Sequence, residues 1–303
     1  MKLTVRILFN VVIVGVVALL IRDKVSLSAL YSSITRIGNV SIMWLIVLSV
    51  VWFVTRICKW AMVLSLVSIQ LPWHVQMFSY ARGLSLGLVT PMQIGELARA
   101  MSVPTGQRIT AALLVPFDKT IDLIALASLA AVGVGFSLDR LFWGVAVGCF
   151  IIAGTIVLRG YILSLVVYLL RQIGRRSSSA IFGGADMRIL GKNARTVLSM
   201  LFLGLVTYSI IGLQYEIILR ALSPDHDIGA LIVCPLIILA HAVPFSFSGF
   251  GIREGIAVSL WPKFGVSPDS AVAASLIMFV ANIWIPLITA FGSLFFTKRR
   301  FNT

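Results

Sequence analysis

The chain has 303 residues, of which 59% are hydrophobic and 12% are charged, about half the charged share of an average soluble domain. With a mean hydropathy of +1.02, this composition excludes a soluble globular protein. Lys and Arg number 25 against 11 Asp and Glu, a net charge of +14. Because the bilayer interior disfavours charge, these cations are markers of membrane topology, and no nucleic-acid partner is expected.

Six segments are long and apolar enough to span a bilayer, which takes about 20 residues of helix. They are residues 3–21, 41–66, 110–137, 141–170, 196–221 and 268–296. The first follows Lys2 and Arg6 as in a signal peptide, but it lacks a small-residue cleavage site and is expected to remain as a helix. The segments predict an all-α integral membrane protein with a single polytopic domain over residues 1–303.

Two further apolar regions, 73–103 and 228–262, are each interrupted near the middle by Pro and Gly. Pro91 and Gly95 interrupt the first, and a run from Pro244 to Gly251 interrupts the second. Each half is too short to cross the membrane, Pro removes an amide donor, and Gly permits a turn. We therefore predict two re-entrant helical hairpins. The alternative is a pair of Pro-kinked full spans.

The cations orient this arrangement in the membrane. Fifteen of them fall on one side, in residues 1–6, 56–60, 99–109, 171–195 and 298–300. Six fall on the other side, in residues 22–40, 138–140, 220–227 and 263–267. The positive-inside rule then predicts a cytoplasmic (inner) membrane protein with both termini cytoplasmic. In this orientation, residues 41–137 and 196–296 form an inverted repeat, and such repeats hold transport sites near the midplane.

Both interrupted regions carry charged residues beside the break. The candidate residues for binding a lipid phosphate are Pro91, Gly95, Glu96, Arg99, Pro244, Ser248, Gly249, Gly251, Arg253 and Glu254. A charge at the bilayer centre costs about 2.5–3.5 kcal/mol even on a lenient scale, so these residues need partners. Glu96 and Arg99 are three apart and are expected to pair. Arg253 and Glu254 are expected to point in different directions and to pair across the repeat, for example Arg253 with Glu96.

Two interpretations of these charges remain open. In the first, ion pairs clamp the hairpin tips together. In the second, the half-helices that begin after Pro91 and Pro244 direct free amides and a positive dipole at an anion. Arg99 and Arg253 would then complete a phosphate site.

Asp118, Lys119 and Asp122 form a third cluster, at the start of the span 110–137. The cluster is either a partly solvated helix end, or a counter-charge network or proton relay behind the anion site. The three Cys and three His are scattered, so no metal site or cofactor is expected. No catalytic motif is recognisable, so no enzyme activity and no catalytic residue are expected.

At these residues the sequence resembles the transmembrane domain family of lysylphosphatidylglycerol synthases, the flippase part of the multiple-peptide-resistance proteins. The matching motifs are Pro91 with Gly95, Glu96 and Arg99, then residues 117–123, then Pro244 with Gly249, Gly251, Arg253 and Glu254. The resemblance covers roughly residues 40–296. It implies lipid translocation, or a related role with phospholipids or polyprenyl-linked sugars. It does not imply lipid aminoacylation, because the aminoacyl-transferase domain is absent. Lys119 stands where many relatives have Arg.

The sequence therefore favours a flippase-like transporter of an anionic phospholipid or a polyprenyl-phosphate-linked glycolipid, with anionic membrane lipids as partners. The alternative is a non-catalytic membrane subunit of a lipid-biosynthesis enzyme of the cell envelope. Such a subunit would recruit a soluble or membrane-bound lipid-modifying enzyme through the basic segment 171–195, whose net charge is +5. A homo-oligomer is compatible with either.

Overall fold

The computed structural model describes Ser32 and residues 35–173, 194–239 and 251–298. The expected first helix, 3–21, lies outside the described residues, as do three candidate site residues, Pro244, Ser248 and Gly249. Most of the basic segment 171–195 also lies outside them.

The described chain is helical throughout, with turns and short coil between the helices. The α-helices are α1 (Asn39–Ser65), α2 (Trp73–Val89), α3 (Arg108–Ser137), α4 (Leu141–Ile173), α5 (Ala194–Leu222), α6 (Gly229–Ile232), α7 (Cys234–Leu239), α8 (Ile252–Leu260) and α9 (Pro268–Lys298). Short 3₁₀ helices cover Pro91–Ser102, Thr105–Gln107 and Trp261–Phe264. Five helices, α1, α3, α4, α5 and α9, are long and apolar enough to cross a membrane. These five correspond to the predicted spans that fall within the described residues.

Helix α1 shows how one face is buried while the rest of an apolar helix stays exposed. Ser49, Trp52 and Arg56 are buried and recur at helical spacing, whereas Val47 and Val54 are exposed. Exposed valines in a helix of this length fit contact with lipid chains. The buried face carries polar and charged side chains, so α1 places polar groups in the protein interior in addition to being long enough to span the membrane.

The first interrupted region folds back on itself at Thr90, whose backbone is extended between α2 and the helix Pro91–Ser102. The two arms pack closely because small residues face each other across them. A Cβ atom added at Gly95 would lie 2.3 Å from the carbonyl carbon and oxygen of Leu86. The returning arm is a 3₁₀ helix over Pro91–Ser102. Its entry into the bilayer from one side stays a prediction.

The second interrupted region contains α6 and α7 before the undescribed residues, and α8 with Trp261–Phe264 after them. Hydrogen bonds connect the two arms at the ends that lie farthest from the break. The Trp261 indole N–H donates to the Ala230 carbonyl over 2.9 Å, and the Asp227 amide donates to the Phe264 carbonyl over 3.0 Å. Gly251 precedes α8 with φ of 86°, a conformation that favours glycine.

The two halves of the chain contact each other reciprocally. Helix α1 packs on α5, each being the first long helix of its half. Helix α2 of the first hairpin packs on α9, and α7 of the second packs on α3. Each hairpin thus lies against the last helix of the other half. That the two halves form a repeat stays a prediction. That the halves have opposite orientations in the membrane stays a prediction.

Candidate functional site

Seven charged side chains from three elements meet in one buried cluster. We call these residues the charge cluster: Arg56 and Lys59 of α1, Glu96 and Arg99 of the 3₁₀ helix, and Asp118, Lys119 and Asp122 of α3. Six of the seven are buried, and Lys119 is partly exposed. Because unpaired charges are costly in a protein interior, the pairing within the cluster determines what it can do.

Each carboxylate of the charge cluster contacts two cations. Asp118 lies 2.8 Å from Lys59 Nζ through one oxygen and 2.9 Å from Arg99 Nη1 through the other. Asp122 lies 2.5 Å from Lys59 Nζ and also pairs with Arg56. Glu96 pairs with Arg99 through Oε2 and with Lys119 through Oε1. The expected pair of Glu96 with Arg99 is therefore present in the structure.

Local structure brings these residues together. In a 3₁₀ helix, residues i and i+3 eclipse each other, which aligns Glu96 with Arg99 more directly than an α-helix does. Two glycines of α2 face them. A Cβ atom at Gly83 would lie 2.3 Å from Cγ of Arg99, and one at Gly87 would lie 2.7 Å from Cγ of Glu96. The absence of side chains at Gly83 and Gly87 therefore leaves the space that Arg99 and Glu96 occupy.

Asp118 and Asp122 lie near the middle of α3, roughly 15–20 Å from its first residue at 1.5 Å per residue. Both are buried. The interpretation of this cluster as a partly solvated helix end is therefore wrong. The counter-charge network fits instead, with cations from α1 as well as from the hairpin.

Arg99 lies behind the site and not in it. Its guanidinium is fully buried and stacks over Tyr80 at 4.2 Å, with Trp60 at 5.4 Å. Its carbonyl accepts a hydrogen bond of 2.7 Å from the Ser79 hydroxyl. The expectation that Arg99 would hold a phosphate does not fit this position, because its charge is already taken up by Glu96 and Asp118.

The expected pairing of Arg253 with Glu96 is also wrong. Arg253 pairs with its neighbour Glu254, with Nη2 to Oε1 at 2.5 Å, and both contact the Ser275 hydroxyl. The reason is helix capping. The Gly251 amide donates to Glu254 Oε2 over 2.7 Å, which turns the carboxylate back towards the start of α8 and into reach of Arg253.

Three of the described amides at the hairpin breaks have partners within the chain. Thr90 accepts hydrogen bonds from the amides of Gln93 and Gly95, through its carbonyl at 3.2 Å and its hydroxyl at 2.7 Å. At the second break, the Glu254 carboxylate accepts a hydrogen bond from the Gly251 amide. Among the described residues, cationic side chains are therefore better placed than these tip amides to bind an anion.

A cavity of about 490 Å³ lies between the two halves, within the usual range of about 300–1,000 Å³ for ligand sites. The lining includes five charged residues, Arg56, Glu96, Lys119, Asp122 and Arg253. The rest of the lining is mostly Leu, Ile, Val, Met and Phe side chains from both halves. Three cations and two carboxylates thus face an otherwise apolar cavity. Both hairpins contribute residues to it.

Arg56 and Lys59 were missed as site residues because sequence counting places them in a cytoplasmic flank. The structure buries both within α1. The sequence signal for them is the spacing of Ser49, Trp52, Arg56 and Lys59, which puts polar side chains on one helical face.

A second group that the sequence analysis did not identify lies nearby. Gln214 of α5 donates to Ser49 at 2.9 Å and exchanges hydrogen bonds of 3.2 Å with Asn282, which lines the cavity.

Comparison with known protein families identifies the family of the chain. The model of the lysylphosphatidylglycerol synthase TM region matches residues 7–290, nearly the whole chain. No curated protein matches the sequence. The family match and the five apolar helices make the chain a multi-pass membrane protein with a lipid-related role. The chain belongs to the family of the lysylphosphatidylglycerol synthase transmembrane region.

Proposed function

We propose that this protein is a flippase-like transporter, which moves an anionic phospholipid or a polyprenyl-phosphate-linked glycolipid across the cytoplasmic membrane. The single observation that carries the proposal is the cavity between the two halves, whose mostly apolar lining includes three cations and two carboxylates. The headgroup binds at the charged residues of the lining, and the hydrocarbon chains stay in the apolar part or in the bilayer. Transport of this kind involves no catalytic step, and both termini are cytoplasmic in the proposed topology.

Charge balance supports an anion as the ligand. The charge cluster has four cations and three carboxylates, while Arg253 and Glu254 balance each other. One positive charge is left over beside the cavity. A lipid phosphate supplies the missing negative charge, and a charge-assisted contact to phosphate is stronger than a neutral hydrogen bond.

The mouth of the cavity supports a ligand with a hydrocarbon tail. Ile94, Leu97 and Leu123 line the cavity and are also exposed. Ile94 and Leu97 are three apart on the 3₁₀ helix, so they share a face, and Leu123 lies one turn of α3 from Lys119. A water-soluble anion has no need of an apolar entrance. An acyl or prenyl chain does, because an apolar entrance keeps the chain in apolar surroundings while it passes between the bilayer and the cavity.

The test uses purified protein in liposomes with fluorescently labelled phosphatidylglycerol, and measures the fraction of label that becomes inaccessible to a membrane-impermeant quencher. We expect the wild-type protein to exchange the label between leaflets. We expect Leu123→Trp, which narrows the mouth, to slow the exchange about tenfold. Val134→Trp is the matched control, because Val134 and Leu123 lie on the same helix and are both 44% exposed, but Val134 does not line the cavity.

Equal exchange by both Trp variants would contradict transport through this cavity. No exchange by the wild-type protein, together with copurification of a lipid-modifying enzyme, would favour the membrane-subunit alternative. In that case, neutralising the cations of the basic segment 171–195 should release the enzyme.

A further inference from the structure

Lys119 differs from the other cations of the charge cluster. Its side chain is 33% exposed, whereas those of Arg56, Lys59 and Arg99 are at most 10% exposed. It lines the cavity, and its Nζ contacts Glu96 and donates to Gln93 Oε1 over 2.9 Å. Part of its side chain is therefore accessible from the cavity, unlike the side chains of the buried ion pairs.

Lys119 is also the surplus cation of the charge cluster. The other three cations and the three carboxylates already form a balanced chain of ion pairs, from Glu96 through Arg99, Asp118, Lys59 and Asp122 to Arg56. Glu96 binds Arg99 through one oxygen and Lys119 through the other. If Lys119 leaves, Glu96 keeps its partner Arg99, so no buried carboxylate is stranded.

We propose that Lys119 binds the phosphate group of the ligand by ion-pair exchange. This inference rests on the proposed function and names the residue that recognises the anion. When the ligand enters the cavity, the ammonium group moves from Glu96 to the phosphate, and when the ligand leaves, it returns to Glu96. One charge-assisted contact replaces another, so binding and release require little net desolvation of the ammonium group. The flexible lysine stem suits this movement.

The exchange predicts effects of opposite sign for two substitutions. Lys119→Gln removes the phosphate contact, and we expect it to weaken phosphatidylglycerol binding about tenfold, which corresponds to about 1.4 kcal/mol. Glu96→Gln removes the competitor for Lys119, and we expect it to tighten binding several-fold. Lys119→Arg keeps the charge and is expected to retain binding. A residue that only stabilises the fold would not produce opposite shifts.

The experiment measures equilibrium binding of radiolabelled phosphatidylglycerol to the purified full chain, with phosphatidylcholine as the neutral-headgroup comparison. Lys263→Gln is the matched control, because Lys263 is exposed and lies in the other half, away from the cavity. Competition with inorganic phosphate distinguishes the two sources of the same chemical group. If inorganic phosphate displaces the lipid from the wild-type protein but not from Lys119→Gln, free phosphate is a ligand of Lys119. If lipid binding depends on Lys119 and inorganic phosphate does not displace the lipid, the ligand is a lipid phosphate.

The outcomes separate this inference from the proposed function. If the wild-type protein binds both lipids equally, the proposed anionic substrate is wrong. If it prefers phosphatidylglycerol, and Lys119→Gln retains both that preference and the wild-type affinity, Lys119 is not the phosphate ligand. Should Glu96→Gln fail to fold, Lys119→Gln and Lys119→Arg alone decide the question, since the balanced ion pairs remain intact in both.

Discussion

Replacing Asp122 with Ala is expected to destabilise the protein by about 3–5 kcal/mol, because it leaves a buried cation without its partner. Arg56 pairs with Asp122, and both side chains are at most 10% exposed. Lys59 keeps Asp118 after the substitution, so Arg56 carries most of the cost. The measurement is thermal unfolding of the purified protein in detergent, where we expect a fall in Tm of several degrees or more.

Two further variants identify the cause of that loss. Asp225→Ala removes an exposed carboxylate and is expected to change the Tm little. The double variant Arg56→Met with Asp122→Leu removes both charges of the pair, and apolar replacements of a buried pair are often tolerated. We expect it to recover a substantial part of the stability. A double variant that is no more stable than Asp122→Ala would show that the loss does not come from the stranded charge.

Replacing Gly95 with Ala is expected to open the first hairpin. The added Cβ would lie 2.3 Å from the backbone of Leu86 and 2.8 Å from the amide nitrogen of Gly87. Backbone atoms cannot move aside as the end of a side chain can, so the cost is expected at the upper end of overpacking, about 3 kcal/mol. The returning arm carries Glu96 and Arg99, so its displacement also breaks the pairs with Asp118 and Lys119.

Gly154→Ala provides the matched control. Gly154 lies within α4, and a Cβ atom there meets nothing within 4 Å. Since Ala favours the helix over Gly, this variant is expected to be neutral or more stable by up to about 1 kcal/mol. Thermal unfolding and gel filtration in detergent compare the two variants. A Gly95→Ala protein with wild-type Tm would mean that the two arms do not pack as closely as described.

The elements that the sequence predicted well have local causes. Five described spans follow from runs of apolar residues, and the turn at Thr90 follows from Pro91 and the glycines around it. The pair of Glu96 with Arg99 follows from a spacing of three residues. In each case the signal lies within a short stretch of chain, so periodicity and steric rules are sufficient to find it.

Two of the errors concern which distant groups meet. Arg56 and Lys59 were read as topological cations, and only the packing of α1 against α3 reveals their carboxylate partners. Arg99 was expected in the binding site, but its aromatic neighbours Tyr80 and Trp60 hold it behind the cavity. Charge alone does not tell which cation faces a cavity and which is buried.

The sequence by itself therefore determined the class of protein, the long apolar helices and the position of the first hairpin break. The tertiary structure alone decided that Lys119 is the surplus cation facing the cavity, and that Arg56 and Lys59 pair with Asp118 and Asp122. The physical reason is the range of the interactions. Hydrophobic periodicity acts within one segment, whereas the pairing of buried charges depends on contacts between residues up to 66 positions apart.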